Sequence, residues 1–144
     1  MRISFDLDET LLSRHVNWEI EPGLKGFREG EEFLRKGTVE LFKWIRSLEH
    51  EIWIYTNSYR GFKALETWFN ECGIPVDKVI NQIIHDEKKF ERDKSFKPDK
   101  NPDWFGIDMH FDDLDSLAEQ EKIYKIDPLD SDWVNKVKSY INLF

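Results

Sequence analysis

The 144 residues are enough for one core, and we expect a single domain spanning residues 1–144. Acidic residues outnumber basic ones and give a formal net charge of -8, which would repel a nucleic-acid backbone and argues against nonspecific nucleic-acid binding. The apolar runs are far shorter than a membrane span, a lone cysteine cannot form an intramolecular disulfide, and acids stand where a secretory signal would be apolar, so we expect a soluble, cytoplasmic protein without a membrane partner.

The first predicted element is a buried strand that ends in acidic residues. Apolar side chains flank residue 4 in the segment 3–5, and Asp6 and Asp8 follow directly. Carboxylates at such a strand end lie at the sheet edge where open α/β sheets carry out chemistry. Two of them need a shared metal ion or a shared proton, although simple turn capping would explain the pair as well.

A flap is predicted next, over about residues 13–37. Apolar and polar residues alternate from Val16 to Ile20, and Pro22-Gly23 ends the pattern. Alternation followed by turn residues is typical of a half-exposed strand in a hairpin. We therefore expect a small β-hairpin after the first strand.

Strands and helices alternate in the rest of the chain. Strands are predicted at 51–55, 79–84, 107–111 and 123–126. Helices are predicted from Thr38 as N-cap, over 62–72, from Ser131 onward and, as a short one, after the cap Asn101. The segment 85–103 is so polar that it predicts a solvated loop. The alternation predicts an α/β fold, a Rossmann-like three-layer sandwich around a central parallel sheet.

Polar groups follow three of the predicted strands. Since the carboxyl ends of parallel strands share one edge, these groups are expected to converge. They are Asp6, Asp8, Thr56, Asn57, Asp112 and Asp113. Hard oxygen ligands favour Mg²⁺, which also binds substrate phosphate, and the candidate ligands are Asp6, Asp8, Asp112 and Asp113. A second, fixed cation is expected from one of the loop lysines, Lys94, Lys97 or Lys100.

The order of these motifs resembles that of the haloacid dehalogenase superfamily. The matching residues are Asp6-Leu7-Asp8-Glu9-Thr10, Ile52-Trp53-Ile54-Tyr55-Thr56, a loop lysine, and Met109-His110-Phe111-Asp112-Asp113. The resemblance implies a Mg²⁺-dependent phosphatase that works through an aspartyl phosphate. It also implies a member with no cap domain, because neither interval between the motifs has room for one. Such an open site suits a phosphorylated small molecule or a phosphoprotein.

The resemblance gives the two acids of the first motif opposite tasks. Asp6 would be the nucleophile that attacks phosphorus, and it must be ionised. Asp8 would protonate the leaving oxygen and then, as a base, activate water. This division suits the chemistry, because a carboxylate is a nucleophile near neutral pH and an alkoxide leaves only with a proton.

The remaining roles also follow from the resemblance. Thr56, with Asn57, would bind the phosphoryl group. The lysine would hold nucleophile and phosphate together, and Lys100 is preferred for this role because it lies just before a predicted helix start, with Lys97 as the alternative. Asp112, assisted by Asp113, would bind Mg²⁺ together with Asp6.

Structural roles would explain some of the same residues. Thr56 would serve as a cap for the helix after Ser58, and Asp113 as a cap for a helix near Leu114. The four histidines show no metal-ligand spacing and are interpreted as surface or packing residues.

Three other functional classes use some of the same residue types. A response-regulator receiver uses similar groups, but there the acidic pair follows the first strand, whereas here an Asp-Asp pair comes last. A metal-dependent nuclease is disfavoured by the acidic composition and the lack of a basic track. A noncatalytic binding or scaffold module stays open as the alternative, as does the oligomeric state.

Overall fold

A five-stranded parallel sheet forms the centre of the structure, a computed structural model that describes residues 1–13, 17–30, 32–92, 100–114 and 120–144. The strands of this sheet are β1 (Arg2–Phe5), β4 (Glu51–Tyr55), β5 (Lys78–Ile80), β6 (Met109–Asp112) and β7 (Ile123–Lys125). Two short strands, β2 (Leu12–Ser13) and β3 (Phe33–Leu34), form a separate hairpin. The helices are α1 (Phe27–Gly30), α2 (Thr38–Ser47), α3 (Phe62–Glu71), α4 (Gln82–Arg92), a 3₁₀ helix (Pro102–Phe105) and α5 (Trp133–Ile141). Among the described residues, none of these helices is long and apolar enough to cross a membrane.

The sheet has the strand order β5-β4-β1-β6-β7, and every neighbouring pair is parallel. Phe5, the last residue of the central strand, pairs with Ile54 on one side and with Phe111 on the other. The segments that follow β1, β4 and β6 therefore emerge at one edge of the sheet. The prediction of an α/β fold with a parallel sheet is confirmed.

Helices pack on both faces of the sheet because its strands are apolar on both sides. Ile3 and Phe5 of β1 belong to the larger buried cluster, which also contains residues of α2, α3 and α5. Trp53 and Tyr55 of β4 point to the opposite face and form a smaller cluster. Ile84 of α4 and the 3₁₀ helix cover that second face.

The hairpin begins closer to β1 along the chain than the alternating pattern predicted. Its paired strands are β2 and β3, in which Leu12 faces Leu34. Both leucines are buried, so their packing fixes the register. The predicted strand from Val16 to Ile20 is wrong for residues 17–20, in which Ile20 makes only an isolated bridge, and Val16 lies outside the described residues.

The predicted strand 79–84 is confirmed only for residues 79–80, because β5 ends at Ile80, and the predicted polar loop 85–103 is wrong for residues 85–92, which belong to α4. The side chain of Asn81 begins this helix, as its Oδ1 accepts the Ile84 N–H at 3.0 Å. His85 is 1% exposed and turns into the fold. A helix with so few buried residues looks like a solvated loop in composition, and residues 93–99 of that loop lie outside the described residues.

The predicted N-caps have mixed outcomes. Thr38 is the first residue of α2 rather than its cap, and the carboxylate of Glu21 instead accepts the N–H groups of Gly37 at 2.7 Å and Val39 at 3.1 Å. An acid from the flap thus satisfies the helix start. Asn101 caps the 3₁₀ helix as predicted, since its side chain accepts the Asp103 N–H at 3.1 Å.

Replacing Gly37 by Ala is expected to lower the free energy of unfolding by about 2–4 kcal/mol. Gly37 has φ 99°, and a Cβ there would lie 2.6 Å from Cγ2 of Val134 on α5, so the variant suffers both backbone strain and overpacking. Gly73 is a matched control because it has φ +77° and nothing within 4 Å of its Cβ position. Urea denaturation should give a loss of only about 1 kcal/mol for Gly73→Ala, and equal losses for the two variants would contradict the packing argument.

Candidate active site

Three carboxylates meet where β1 and β6 end. Asp6 follows β1, and its backbone N–H donates to the carbonyl of Phe111 at 2.9 Å. Asp112 and Asp113 stand at the end of β6, and one oxygen of each of the three acids lies within 4.8 Å of the others. Asp6 is 6% exposed and Asp112 is fully buried. Oxygen donors grouped in this way are suited to a hard divalent cation such as Mg²⁺.

Lys100 enters this cluster from the segment that precedes the 3₁₀ helix. Its Nζ lies 3.0 Å from Oδ1 of Asp6 and donates a hydrogen bond to Oδ2 of Asp112. The side chain is 1% exposed, so its charge acts on the two acids with little screening by solvent. Lys94 and Lys97, the other predicted sources of a cation, lie outside the described residues.

One ammonium does not balance three clustered carboxylates. Burial raises the pKa of Asp6 to about 8, with Lys100 opposing the shift and Asp112 adding to it. Burial and the neighbouring Asp112 raise the pKa of Asp113 to about 6. Lys100 itself is charged, because the two acids outweigh burial and raise its pKa. A further cation would allow all three acids to ionise, so the donor set fits Mg²⁺.

A buried histidine orients Asp112. His110 Nε2 lies 2.9 Å from Oδ2 of that carboxylate, and its Nδ1 lies 2.7 Å from Oγ of Ser4. Burial, and then the charge of Lys100, lower the pKa of His110 to about 4, so the ring is neutral. Its single proton therefore sits on Nε2, facing the carboxylate, while Nδ1 accepts the Ser4 hydroxyl proton. The interpretation of His110 as a packing or surface residue does not include this contact, although its spacing of two from Asp112 along a strand puts both side chains on one face.

A second buried pair fixes the segment that carries Lys100. The hydroxyl of Tyr55 accepts the backbone N–H of Asn101 at 3.0 Å and shares a hydrogen bond with Nδ1 of His85 on α4. Burial raises the pKa of Tyr55, so the hydroxyl keeps its proton. The Nζ of Lys100 lies 5.7 Å from the centre of the Tyr55 ring. These contacts hold the residue next to the lysine against the sheet.

The carboxylate of Asp8 lies apart from the three clustered acids. It is bound by Arg60, with Nη2 2.7 Å from Oδ1 and Nη1 3.1 Å from Oδ2. The Asp8 side chain is 53% exposed. The structure thus brings Asp8 to the same edge of the sheet but does not group its carboxylate with Asp6, and its predicted role as a metal ligand stays a prediction.

The two polar residues after β4 differ in exposure. Thr56 is buried, and its Oγ1 accepts the N–H of Ser58 at 3.2 Å. It does not cap α3, for which Gly61 is the N-cap, so the capping interpretation is wrong. Asn57 is exposed to solvent. Both stand at the edge that holds Asp6, since β4 is the neighbour of β1.

Comparisons with known proteins found no match to the chain, neither among models of protein families nor among curated proteins. The geometry itself offers a buried carboxylate for nucleophilic attack, an ammonium within hydrogen-bonding distance of it, and oxygen donors for a divalent cation. A half-exposed second carboxylate, Asp8, is available for proton transfer. This combination suits chemistry on an anionic group such as a phosphate.

Proposed function

We propose that the protein is a Mg²⁺-dependent phosphohydrolase that cleaves phosphate monoesters through an aspartyl phosphate on Asp6, as a capless member of the haloacid dehalogenase superfamily would. The observation that carries the proposal is the position of Lys100, whose Nζ contacts both Asp6 and Asp112. The motif resemblance requires a lysine at that point. Asp113 adds a third carboxylate within 4.8 Å of the other two, which is more negative charge than the one ammonium of Lys100 balances.

The first half of the proposed reaction transfers the phosphoryl group to the protein. An oxygen of Asp6 attacks phosphorus while the bond from phosphorus to the ester oxygen breaks, and Asp8 gives its proton to the leaving oxygen. Lys100 stabilises the negative charge on the phosphoryl oxygens, and Thr56 and Asn57 stand at the same edge to bind them. Mg²⁺, held by Asp6, Asp112 and Asp113, would supply further charge stabilisation.

The second half releases phosphate. Asp8, now ionised, takes a proton from a water molecule whose oxygen attacks phosphorus. The bond between phosphorus and Asp6 breaks, which regenerates the carboxylate and leaves the proton on Asp8. His110 keeps the Asp112 carboxylate in one orientation throughout, since its Nε2 donates to Oδ2 at 2.9 Å.

The test of this function is a phosphatase assay on the purified protein. We expect hydrolysis of a generic aryl phosphate in the presence of Mg²⁺, and its loss when EDTA removes the metal. A panel of nucleotides, sugar phosphates and phosphopeptides would then show whether the substrate is a small molecule or a phosphoprotein. Failure to turn over any phosphomonoester with Mg²⁺ present would contradict the proposal and favour a noncatalytic binding or scaffold role, whereas cleavage of phosphodiesters in DNA or RNA would favour a nuclease.

A further inference from the structure

Arg60 is a buried cation that the proposed chemistry does not use. It is 7% exposed and lies four residues after Thr56, at the edge of the sheet that holds the carboxylate cluster. Two of its nitrogens donate to the two oxygens of Asp8, at 2.7 and 3.1 Å. A guanidinium bound in this forked way fixes the plane of a carboxylate as well as its position.

A second acid anchors Arg60 from the flap. Glu32 precedes β3, its side chain is 2% exposed, and both of its oxygens accept hydrogen bonds from the Arg60 guanidinium. The two carboxylates hold the pKa of Arg60 above its ordinary value despite burial, so the group is always charged. Glu32 is the buried partner of Arg60, whereas the side chain of Asp8, its other partner, is 53% exposed to solvent.

The backbone of Arg60 is held as firmly as its side chain. Its carbonyl accepts a hydrogen bond from Nδ2 of Asn81 at 3.0 Å, and Asn81 is the residue whose side chain begins α4. Its N–H lies 3.4 Å from Oγ of Ser58. The guanidinium therefore projects from a fixed point toward Asp8.

We propose that Arg60, anchored by Glu32 of the flap, is the positioning residue that aims the carboxylate of Asp8 for proton transfer. This inference rests on the phosphohydrolase function proposed above. Arg60 acts through Asp8: its two hydrogen bonds restrict the carboxylate to one direction, so that the base meets the water that attacks the aspartyl phosphate. Loss of such alignment typically costs about 10²-fold in rate.

The proposal predicts a defect in one half of the reaction. An aryl phosphate with a good leaving group needs no acid for the first half, but release of phosphate from Asp6 still needs Asp8 as a base. Without Arg60, we expect a rapid burst of phenol release, then steady-state turnover about 10–10²-fold slower than in the wild type, with the aspartyl phosphate accumulating. A loss of folding or of phosphate binding would diminish the burst itself.

The variant to measure is the pair Arg60→Gln with Glu32→Gln. Removing Arg60 alone would take the closest cation from the buried Glu32, which would keep the longer contact to Arg28 at 3.6 Å, and would endanger the fold, whereas two amides can hydrogen-bond to each other. Circular dichroism establishes that the protein carrying both substitutions is folded. The matched control is Arg46→Gln, which removes an arginine–aspartate pair with Asp77 at the opposite edge of the sheet, 2.6 Å apart, and should leave burst and turnover as in the wild type.

A double-mutant cycle decides whether Arg60 acts through Asp8. Asp8→Asn should slow steady-state turnover of the aryl phosphate by about 10²–10⁴-fold. Adding the Arg60→Gln and Glu32→Gln substitutions to this variant should slow turnover no further. An additive effect in the Asp8→Asn background, or a raised KM with unchanged burst-to-turnover ratio, would overturn the proposal and make Arg60 a substrate-binding residue. A wild-type protein with neither burst nor turnover would instead remove the phosphohydrolase function on which the proposal rests.

Discussion

Replacing Asp6 by Asn is expected to abolish phosphatase turnover while leaving the fold intact. The amide cannot attack phosphorus, so kcat should fall by about 10⁴-fold or more, as when other covalent nucleophiles are removed. The side chain keeps its size and can still accept the hydrogen bond from Lys100, whose Nζ lies 3.0 Å from Oδ1. The matched control is Asp108→Asn, which replaces an exposed acid just before β6, and so at the opposite edge of the sheet, and should retain full activity.

The same variant is expected to change how stability depends on pH in the absence of metal. Asp6 has a pKa of about 8 in the folded protein against an ordinary 3.8, so between these values the native state holds a proton that the unfolded chain has lost. Stability therefore falls as pH rises through this window. His110, with a pKa lowered from 6.5 to about 4, and Asp113, with one raised to about 6, change protonation only at lower pH.

Between about pH 6.5 and 8, Asp6 should dominate the site's contribution to this pH dependence. Metal-free wild-type protein should lose on the order of 1 kcal/mol per pH unit there, and Asp6→Asn should show no such slope. Mg²⁺ should flatten the wild-type slope, because it offsets the charge of the ionised acids. Urea denaturation at several pH values measures the slope for the metal-free wild type, for the wild type with Mg²⁺ and for Asp6→Asn. Identical slopes for the metal-free wild type and the variant would show that Asp6 is already ionised without a metal.

Replacing Lys100 by Met should have the largest effect on stability. The side chain is 1% exposed and lies between Asp6 and Asp112, so its loss leaves buried negative charge without a partner. Breaking a buried ion pair in this way typically costs about 3–5 kcal/mol. We expect that loss in the metal-free protein, partial recovery with Mg²⁺, and a fall in kcat of about 10²-fold or more.

Two further lysine variants sharpen this prediction. Lys36→Met removes a surface pair with Glu19 at 2.8 Å and should cost less than about 1 kcal/mol. Lys97→Met addresses the alternative left open by the sequence. Loss of activity in Lys97→Met, combined with an active and stable Lys100→Met protein, would reverse the assignment of the lysine.

Much of the sheet could be predicted because its signals are local. The segments at 3–5, 51–55 and 107–111 are short apolar runs that end in polar residues, and such runs are typical of strands buried on both faces. Helix α4 was missed because its start depends on one side chain, Asn81, and its buried residues are few. The hairpin was misplaced because the packing of Leu12 against Leu34, 22 positions apart, decides its register.

The candidate site, like the fold, could be predicted from the sequence only in part. Asp6, Asp112 and Asp113 stand at strand ends, so parallel topology alone predicts that they meet, and the structure groups them. The partners that orient them come from distant parts of the chain. Arg60 reaches Asp8 across 52 positions and Glu32 across 28, and no spacing in the sequence marks such contacts. Tertiary packing brings these charges together, so only the structure reveals them.

Trapping the proposed intermediate tests the central claim most directly. Borohydride reduces an aspartyl phosphate to homoserine, so the protein can be mixed with Mg²⁺ and an aryl phosphate, quenched, reduced and digested for mass spectrometry. We expect homoserine at position 6, in larger amount in Asp8→Asn and absent from Asp6→Asn. Mg²⁺-dependent turnover with no label at Asp6, or with the label on another residue, would contradict the claim that Asp6 carries the phosphoryl group.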